Sequence, residues 1–390
     1  MRFKNYIEKI VDNRGKNPEK YFSSGKYPVL DNYLIKNELY PNLKKVERYI
    51  DENTFRTFLR DYTYEGMVVM TLVGNGIGNV TTIPNDNVVI IQNTIGFKPV
   101  KEILIDKFLY YFFLYNQEKI RNFDRGSGQP SIKQRDILEM EVSFPSLETQ
   151  QKIAKVLSAF DDKIELNNKI NENLEQQTQA LYKNKFIDNK NNNRTYCKAE
   201  DFFDISIGKT PPRKEFECFS NNNGVIWVSI SDMGKCGMYI DNSSEYLTKD
   251  AIKKYNVKIV PNNTVILSFK LTVGRIAITN GEMATNEAIA HFNTDNKNIN
   301  EYLYCYLKRF NFQTMGSTSS IATAINSKII KAIPFIIPEK DELINFHNLV
   351  SPMFKKIKEN LLENKYLIQL RDTLLPKLMN GEIDVDKINI

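Results

Sequence analysis

"FPSLETQQKIAKVLSAFDDKIELNNKINENLEQQTQALYKNKF", residues 144 to 186, has the wet exterior and thin apolar seam of a long helix. Ile153, Phe160, Asn167, Leu174 and Leu181 are spaced seven apart, with Val156 and Ile170 on rungs three residues further on. Such a ladder marks a helix packed along a narrow stripe, as in a coiled coil. Lys163 and Gln177 fall on the same intervening rungs, which leaves a plain surface helix as the competing reading. Pro145 and Ser146 open the helix. The Ser146 hydroxyl can cap free backbone N–H groups, and Glu148 favours the positive helix end. The polar run "DNKNNNRTY" (188 to 196) can bury nothing and reads as a linker.

A partner for the seam comes from an internal repeat. Phe346, Met353, Asn360, Leu367 and Leu374 form a second ladder, each rung 193 residues after its counterpart. The same offset carries Pro145 onto Pro338, Ile132 onto Ile325, Asn93 onto Asn286, and "LYYFFL" (109 to 114) onto "YLYCYL" (302 to 307). It also carries Asn167 onto Asn360, and a buried Asn on an apolar seam can fix register. Two copies are too few for a solenoid. They can instead face each other about a pseudo-two-fold axis, as subunits do in a symmetric dimer. The reading is an α+β protein: two globular units separated by two long antiparallel coiled-coil helices, with a pseudo-two-fold internal repeat. Its boundaries are a first unit (1–145), a first helix (146–187), a linker (188–196), a second unit (197–337), a second helix (338–380) and a tail (381–390).

Within the first unit "MVVMTLV" (67 to 73) and "NVVIIQN" (87 to 93) read as strands, being rich in β-branched residues and bounded by turn signals. In the second, "GVIWVSI" (224 to 230) and "NTVILSF" (263 to 269) read the same way. Amphipathic helices follow around "KFLYYFFLYNQEKI" (107 to 120) and "NEYLYCYLKRF" (300 to 310). The repeat is close in the C-terminal part of each unit and weak before it.

At 42% hydrophobic and 26% charged residues, the 390-residue chain has the composition of soluble globular material. The N-terminus is charged and amphipathic rather than signal-like, and no apolar run approaches membrane-spanning length. Cys197, Cys218, Cys236 and Cys305 lack C-x-x-C spacing, so neither a metal site nor a disulfide framework is expected and a cytoplasmic setting fits. The net charge of +6 permits an anionic partner without demanding one. There is no N-P-P-Y or D-P-P-Y methylation motif and no G-x-x-x-x-G-K-[ST] phosphate loop. "GNGIG" (74 to 78) follows a strand but precedes no helix, so it reads as a tight turn. His291 and His347 stand without a matched Cys or a cluster and read as structural. No catalytic residue and no metal site is assigned.

The spacer motif quoted above resembles the first helical spacer of type I restriction–modification specificity subunits, and "LRDTLLPKLMNGEI" (370 to 383) resembles the end of their second spacer. "GKTPPRKEFE" (208 to 217) with "WVSISDMGKCGMYI" (227 to 240) is similar to one form of their target recognition domain. "TLVGNGIGNV" (71 to 80) and "RGSGQPSI" (125 to 132) are similar to another. The similarity covers essentially the whole chain in the family's order. One departure is Pro376 where the first helix has Lys183, since proline there would kink or end the helix. The resemblance implies a non-catalytic, DNA-reading subunit with two target recognition domains. Each would read one half of a split double-stranded DNA sequence, and the helices would set the gap and bind two methyltransferase subunits. Restriction motor-nuclease subunits would join that core. S-adenosylmethionine, ATP and magnesium would sit on partner subunits, with no cofactor on this chain and no membrane involved. A stand-alone nucleic-acid enzyme and a protein-binding coiled-coil adaptor are the alternatives.

Phosphates would be met by Lys, Arg and backbone amides; base edges by Arg, Lys, Asn, Gln, Ser and Thr. In the first domain these are Arg125, Ser127 and Gln129 on the glycine-flexible "RGSGQPSI" loop, with Asn32, Lys36, Asn37, Thr71 and Asn75 secondary. In the second they are Lys209, Thr210 and Arg213 on a Pro-stiffened loop, with Ser231, Lys270, Arg275 and the run from Ser317 to Ser320.

Overall fold

Three of the four β-branched runs form strands, and the two aromatic-rich runs form buried helices. The structure, a computed structural model, describes residues 1–15, 17–126, 128–188, 194–315 and 326–388. It divides into two units, residues 1–166 with 363–390 and residues 167–362. Each unit thus holds one globular domain and a part of both long helices.

In the first unit β1 (Ile7–Val11), β2 (Val68–Thr71), β3 (Val80–Thr82) and β4 (Thr94–Pro99) form an antiparallel sheet in the order β1-β4-β2-β3. Helix α1 (Asp106–Tyr115) follows. Its run from Phe108 to Phe113 is buried on every side, in one core with the sheet and the start of α2 (Leu147–Lys183). A helix apolar all round must be covered all round. The Ser146 hydroxyl caps α2 by accepting from the Thr149 amide at 3.2 Å. The expected strand at 87 to 93 is not one. Val88 and Ile90 pack into a separate small core, Val89 makes only an isolated bridge to Val29, and Gln92 at φ +59° turns the chain before β4.

In the second unit β5 (Asp204–Ile207), β6 (Tyr239–Ile240), β7 (Val265–Ser268), β8 (Ile276–Thr279) and β9 (Ile289–Asn293) form a sheet in the order β6-β8-β7-β9-β5. Read from its other edge, β5-β9-β7-β8 repeats β1-β4-β2-β3 strand for strand, with β6 added. The repeat therefore extends into the sheets, where the sequence match is weak. Helix α3 (Asn300–Arg309) is the counterpart of α1, buried from Tyr302 to Leu307. A further sheet carries Val225–Val228 between Ala284–Thr285 and Glu245–Leu247. Thr195–Lys198 pairs with Pro334–Ile337, so the last residues of the expected linker are a strand.

The second long helix, α4 (Lys340–Met379), runs through Pro376 rather than ending there. Pro376 forfeits one backbone hydrogen bond, the one its nitrogen would have given the Asp372 carbonyl a turn earlier, and the helix continues past it for less than a turn. In the first unit α2 and α4 run antiparallel. Asp161 pairs with Arg371, and Lys163 with Glu363 at 3.5 Å. In the second unit they do so again: Asn360 Nδ2 donates to Asn171 Oδ1 at 2.8 Å, and the Phe346 ring lies edge-on to Tyr182 with centroids 6.0 Å apart.

Of the ladder residues, Ile153, Asn167, Phe346 and Asn360 are buried, and Phe160, Leu174, Leu181, Met353, Leu367 and Leu374 are half-buried. The intervening apolar rungs read on α2 are covered, Val156 buried and Ile170 half-buried. On α4 the positions three residues on, Leu349 and Leu370, are 50% and 52% exposed, whereas Val350, Ile357, Asn364 and Arg371, four residues on, are buried. Gln177 likewise points off the seam and donates to Asn173 on its own helix. The ladder itself lies on the seam, and on α4 the rung that completes it falls four residues on rather than three.

Candidate nucleic-acid interface

In the first domain three loops meet at one edge of the sheet. The hairpin between β2 and β3 is zipped to the 125–132 loop: Gly74 N donates to Pro130 O at 2.9 Å, and Ile132 N to Leu72 O at 2.9 Å. Gly74 takes φ +101°, and a Cβ there would lie 3.2 Å from Asn32 Nδ2 and 3.8 Å from Gln129 Nε2. Asn32, Gln129 and the tip residue Asn75 are therefore neighbours around a position whose positive φ favours glycine. Asp124 staples the 125–132 loop by accepting from the Gly126 and Ser131 amides at 2.9 and 2.8 Å. Arg125 is exposed and meets Asp136 at 3.1 Å, a surface pair that a phosphate can replace at little cost. Lys36 is exposed as well.

Two expected contacts in this domain are structural. Thr71 is fully buried at the end of β2 and cannot reach a ligand. Asn37 sits at φ +62°, and its side-chain oxygen accepts from the Val80 amide at 3.0 Å and from Gln117 Nε2 at 2.6 Å. It fastens its loop rather than facing outward. Ser127 and the run from Ser317 to Ser320 lie outside the described residues.

In the second domain the segment from Ala284 to Ile289 gathers the site. Gly208 approaches it so closely that a Cβ would lie 2.1 Å from Asn286 O and from Thr285 Oγ1. Lys209 N donates to Thr285 O at 2.9 Å, and Phe269 N to Ala288 O at 2.9 Å. Glu287 is the hub: Thr210 Oγ1 donates to it, and Lys270 and Arg213 lie within electrostatic reach. Burial raises the Glu287 carboxyl, but the Thr210 hydroxyl, its own backbone amide and the two cations draw it below the usual range. Lys209, Lys270 and Ser231 are exposed.

Arg213 and Arg275 are turned to other work. Arg213 forms a bidentate pair with Glu245 at 2.7 and 3.0 Å and stacks over Phe219 and Trp227. Arg275 donates to the Ile230 carbonyl at 2.5 Å and lies against Gly234. Both pin loops. His291 is buried in β9 with Ser206 Oγ at 2.9 Å from Nδ1 and Thr285 Oγ1 at 2.7 Å from Nε2. Burial holds it well below its ordinary value, at about 4, so it is a neutral strut. His347 meets Glu301 at 3.1 Å.

A family model, the type I restriction modification DNA specificity domain, matches residues 8–176 and again 191–368. The chain belongs to that family. Each match takes in one globular domain and most of the long helix after it, which is the sequence repeat seen from outside. The MjaIX type I specificity subunit of Methanocaldococcus jannaschii is 28% identical over 404 residues, spanning 95% of this chain and 89% of its own. The HindI specificity subunit of Haemophilus influenzae is 26% identical over 401 residues, spanning 82% and 87%. The type I restriction–modification S subunit structure from M. genitalium covers 97% of this chain and 95% of its own at a TM-score of 0.55 and 17% identity, a likeness of fold. No helix among the described residues is long and apolar enough to cross a membrane.

Sequence reading missed Asp161 and Arg371 on the seam. Their one signal was charge beside the ladder, Asp161 one residue after Phe160 and Arg371 four after Leu367, where apolar residues are the rule.

Proposed function

We propose that this specificity subunit reads a split DNA sequence, one half with each recognition domain, while the paired helices set the unread gap. The observation that carries the reading is duplication. Two domains of one strand order each gather polar loops beside the sheet, the kind of side chains that base readout uses. Asn32, Asn75, Gln129, Arg125 and Lys36 are the contacts of the first, and Lys209, Thr210, Ser231 and Lys270 those of the second. Backbone amides and Lys or Arg set register, and Asn, Gln, Ser and Thr read base edges.

The chain itself is non-catalytic in this reading. S-adenosylmethionine, ATP and magnesium belong to methyltransferase and motor-nuclease partners. Exposed apolar residues on the helices support such partners: Leu166, Tyr366, Ile368 and Leu370 in the first unit, Ile344, Leu349 and Leu362 in the second. Side chains of this kind gathered on helices are what subunit interfaces cover.

The test is a domain exchange. Residues 1 to 143 are replaced by another recognition domain of the family, and methyladenine is mapped in cells that carry the methylating partner. One half of the methylated sequence should change and the other persist. A change in both halves, or in neither, contradicts the assignment.

A further inference from the structure

Leu271, at the tip of the hairpin between β7 and β8, is 99% exposed and holds φ +59°. The Thr272 amide donates to the Lys270 carbonyl at 2.7 Å across it, closing a three-residue γ-turn. That turn with positive φ is rare and strained, and a bulky side chain makes it more so. Strain of this kind persists only where the surroundings impose it. Here the buried Ser268 imposes it. Its hydroxyl donates to Thr272 O at 2.6 Å and accepts from the Arg275 amide at 3.1 Å, while its carbonyl accepts from Gly274 N at 3.0 Å.

Both the conformation and the exposed apolar surface cost folding free energy, and among the described residues none covers the side chain. Its surroundings match DNA. Lys270 precedes it, and the hairpin shares the Glu287 hub with Thr210. Phe216, 81% exposed, makes the contrast: it sits between Glu215 and Glu217, which would repel phosphates.

We propose that Leu271 is a specificity-determining residue of the second recognition domain, lying against bases of its half-site as an apolar contact. Apolar side chains read the thymine methyl in the major groove and press on base steps elsewhere, and phosphate offers them nothing. The proposal rests on the DNA-reading role above.

The experiment compares the wild-type chain with Leu271→Gly and Leu271→Ala, each assembled with its methylating partner. Binding to the mapped target and to unrelated duplex is measured across a salt series. Glycine relieves the turn, so Leu271→Gly should melt at the same or a higher temperature. Both variants should bind the target at least about fivefold more weakly, the low end of a specific base contact. Affinity for unrelated DNA and the salt slope should not move, because no phosphate contact is lost. Unchanged target affinity, an equal loss on both DNAs, or a lowered melting temperature of the glycine variant overturns the proposal. A wild-type complex that does not prefer its target would instead overturn the DNA-reading role.

Discussion

Arg371 on α4 donates to Asp161 on α2, with both side chains nearly buried at 10% and 6% exposure. Tyr111 from α1 donates to the other carboxylate oxygen at 2.5 Å, and Asp372 takes the rest of the guanidinium at 2.8 Å. Burial raises the Asp161 carboxyl, and Arg371 and Tyr111 pull against it. This network ties the recognition fold to both helices within the first unit. The second unit solves the same problem differently: Tyr304, 193 residues after Tyr111, donates to Glu175 at 2.7 Å and stands edge-on to Phe354.

Removing one partner of a buried pair leaves the other charge uncompensated, which costs about 3–5 kcal/mol. Arg371→Ala should destabilise the chain by that order in urea unfolding. Replacing both members, as Arg371→Met with Asp161→Asn, should cost much less than the two single changes summed. Additive losses would show that the two side chains act independently.

His291 sets an acid limit on the second unit. Its folded value is pushed down to about 4 from the usual 6.5, so as pH falls through this window the unfolded chain takes up a proton that the folded one refuses. Stability is then complete above about pH 6.5 and declines toward pH 4, by about 3 kcal/mol in all. His291→Asn is weaker at neutral pH but lacks this titration. The stability difference between wild type and variant should shrink as pH falls from 7 to 4. A constant difference contradicts the assignment.

Gln129 reaches the first domain's loop junction above Gly74, beside Asn32. Gln129→Ala should relax base preference at one position of the first half-site by about 1–3 kcal/mol and leave the second half-site alone. Methyladenine mapping over a library of altered half-sites reads this directly. Unchanged preference at every position would remove the 125–132 loop from the base-reading surface.

The long helices, the repeat and the buried aromatic helices were legible because periodicity and bulk leave few alternatives. The second rung of the α4 seam was not. Val350 and Ile357 offered a second apolar rung, but Asn364 and Arg371 continue it, and polar residues hide a stripe from any pattern of hydrophobicity. The candidate loops were legible as loops. That Asn37, Arg213 and Arg275 bend back to hold backbone and neighbours was not, because an Arg or Asn that pins a loop has the same sequence signature as one that leaves it. Leu271 was invisible for the opposite reason: a lone leucine beside a strand reads as core.

The helix pair as a ruler gives the last prediction. Each helix contributes to both units, α2 up to Leu166 and α4 from Glu363 in the first. Four extra residues in α2 alone would shift Asn171 away from Asn360 or Asp161 away from Arg371, so a single insertion should destabilise the chain. Four residues added to both, after Leu166 and after Leu362, let each unit keep its own pairs. A four-residue insertion is a stutter, which coiled coils absorb by local unwinding. The rod then grows by about 6 Å at about 1.5 Å per residue, close to two base-pair steps of about 3.4 Å. The double insertion, expressed with the methylating partner, should methylate the same two half-sites with the gap widened by one or two base pairs. An active double-insertion complex that kept the original gap would show that something other than these helices sets the spacing.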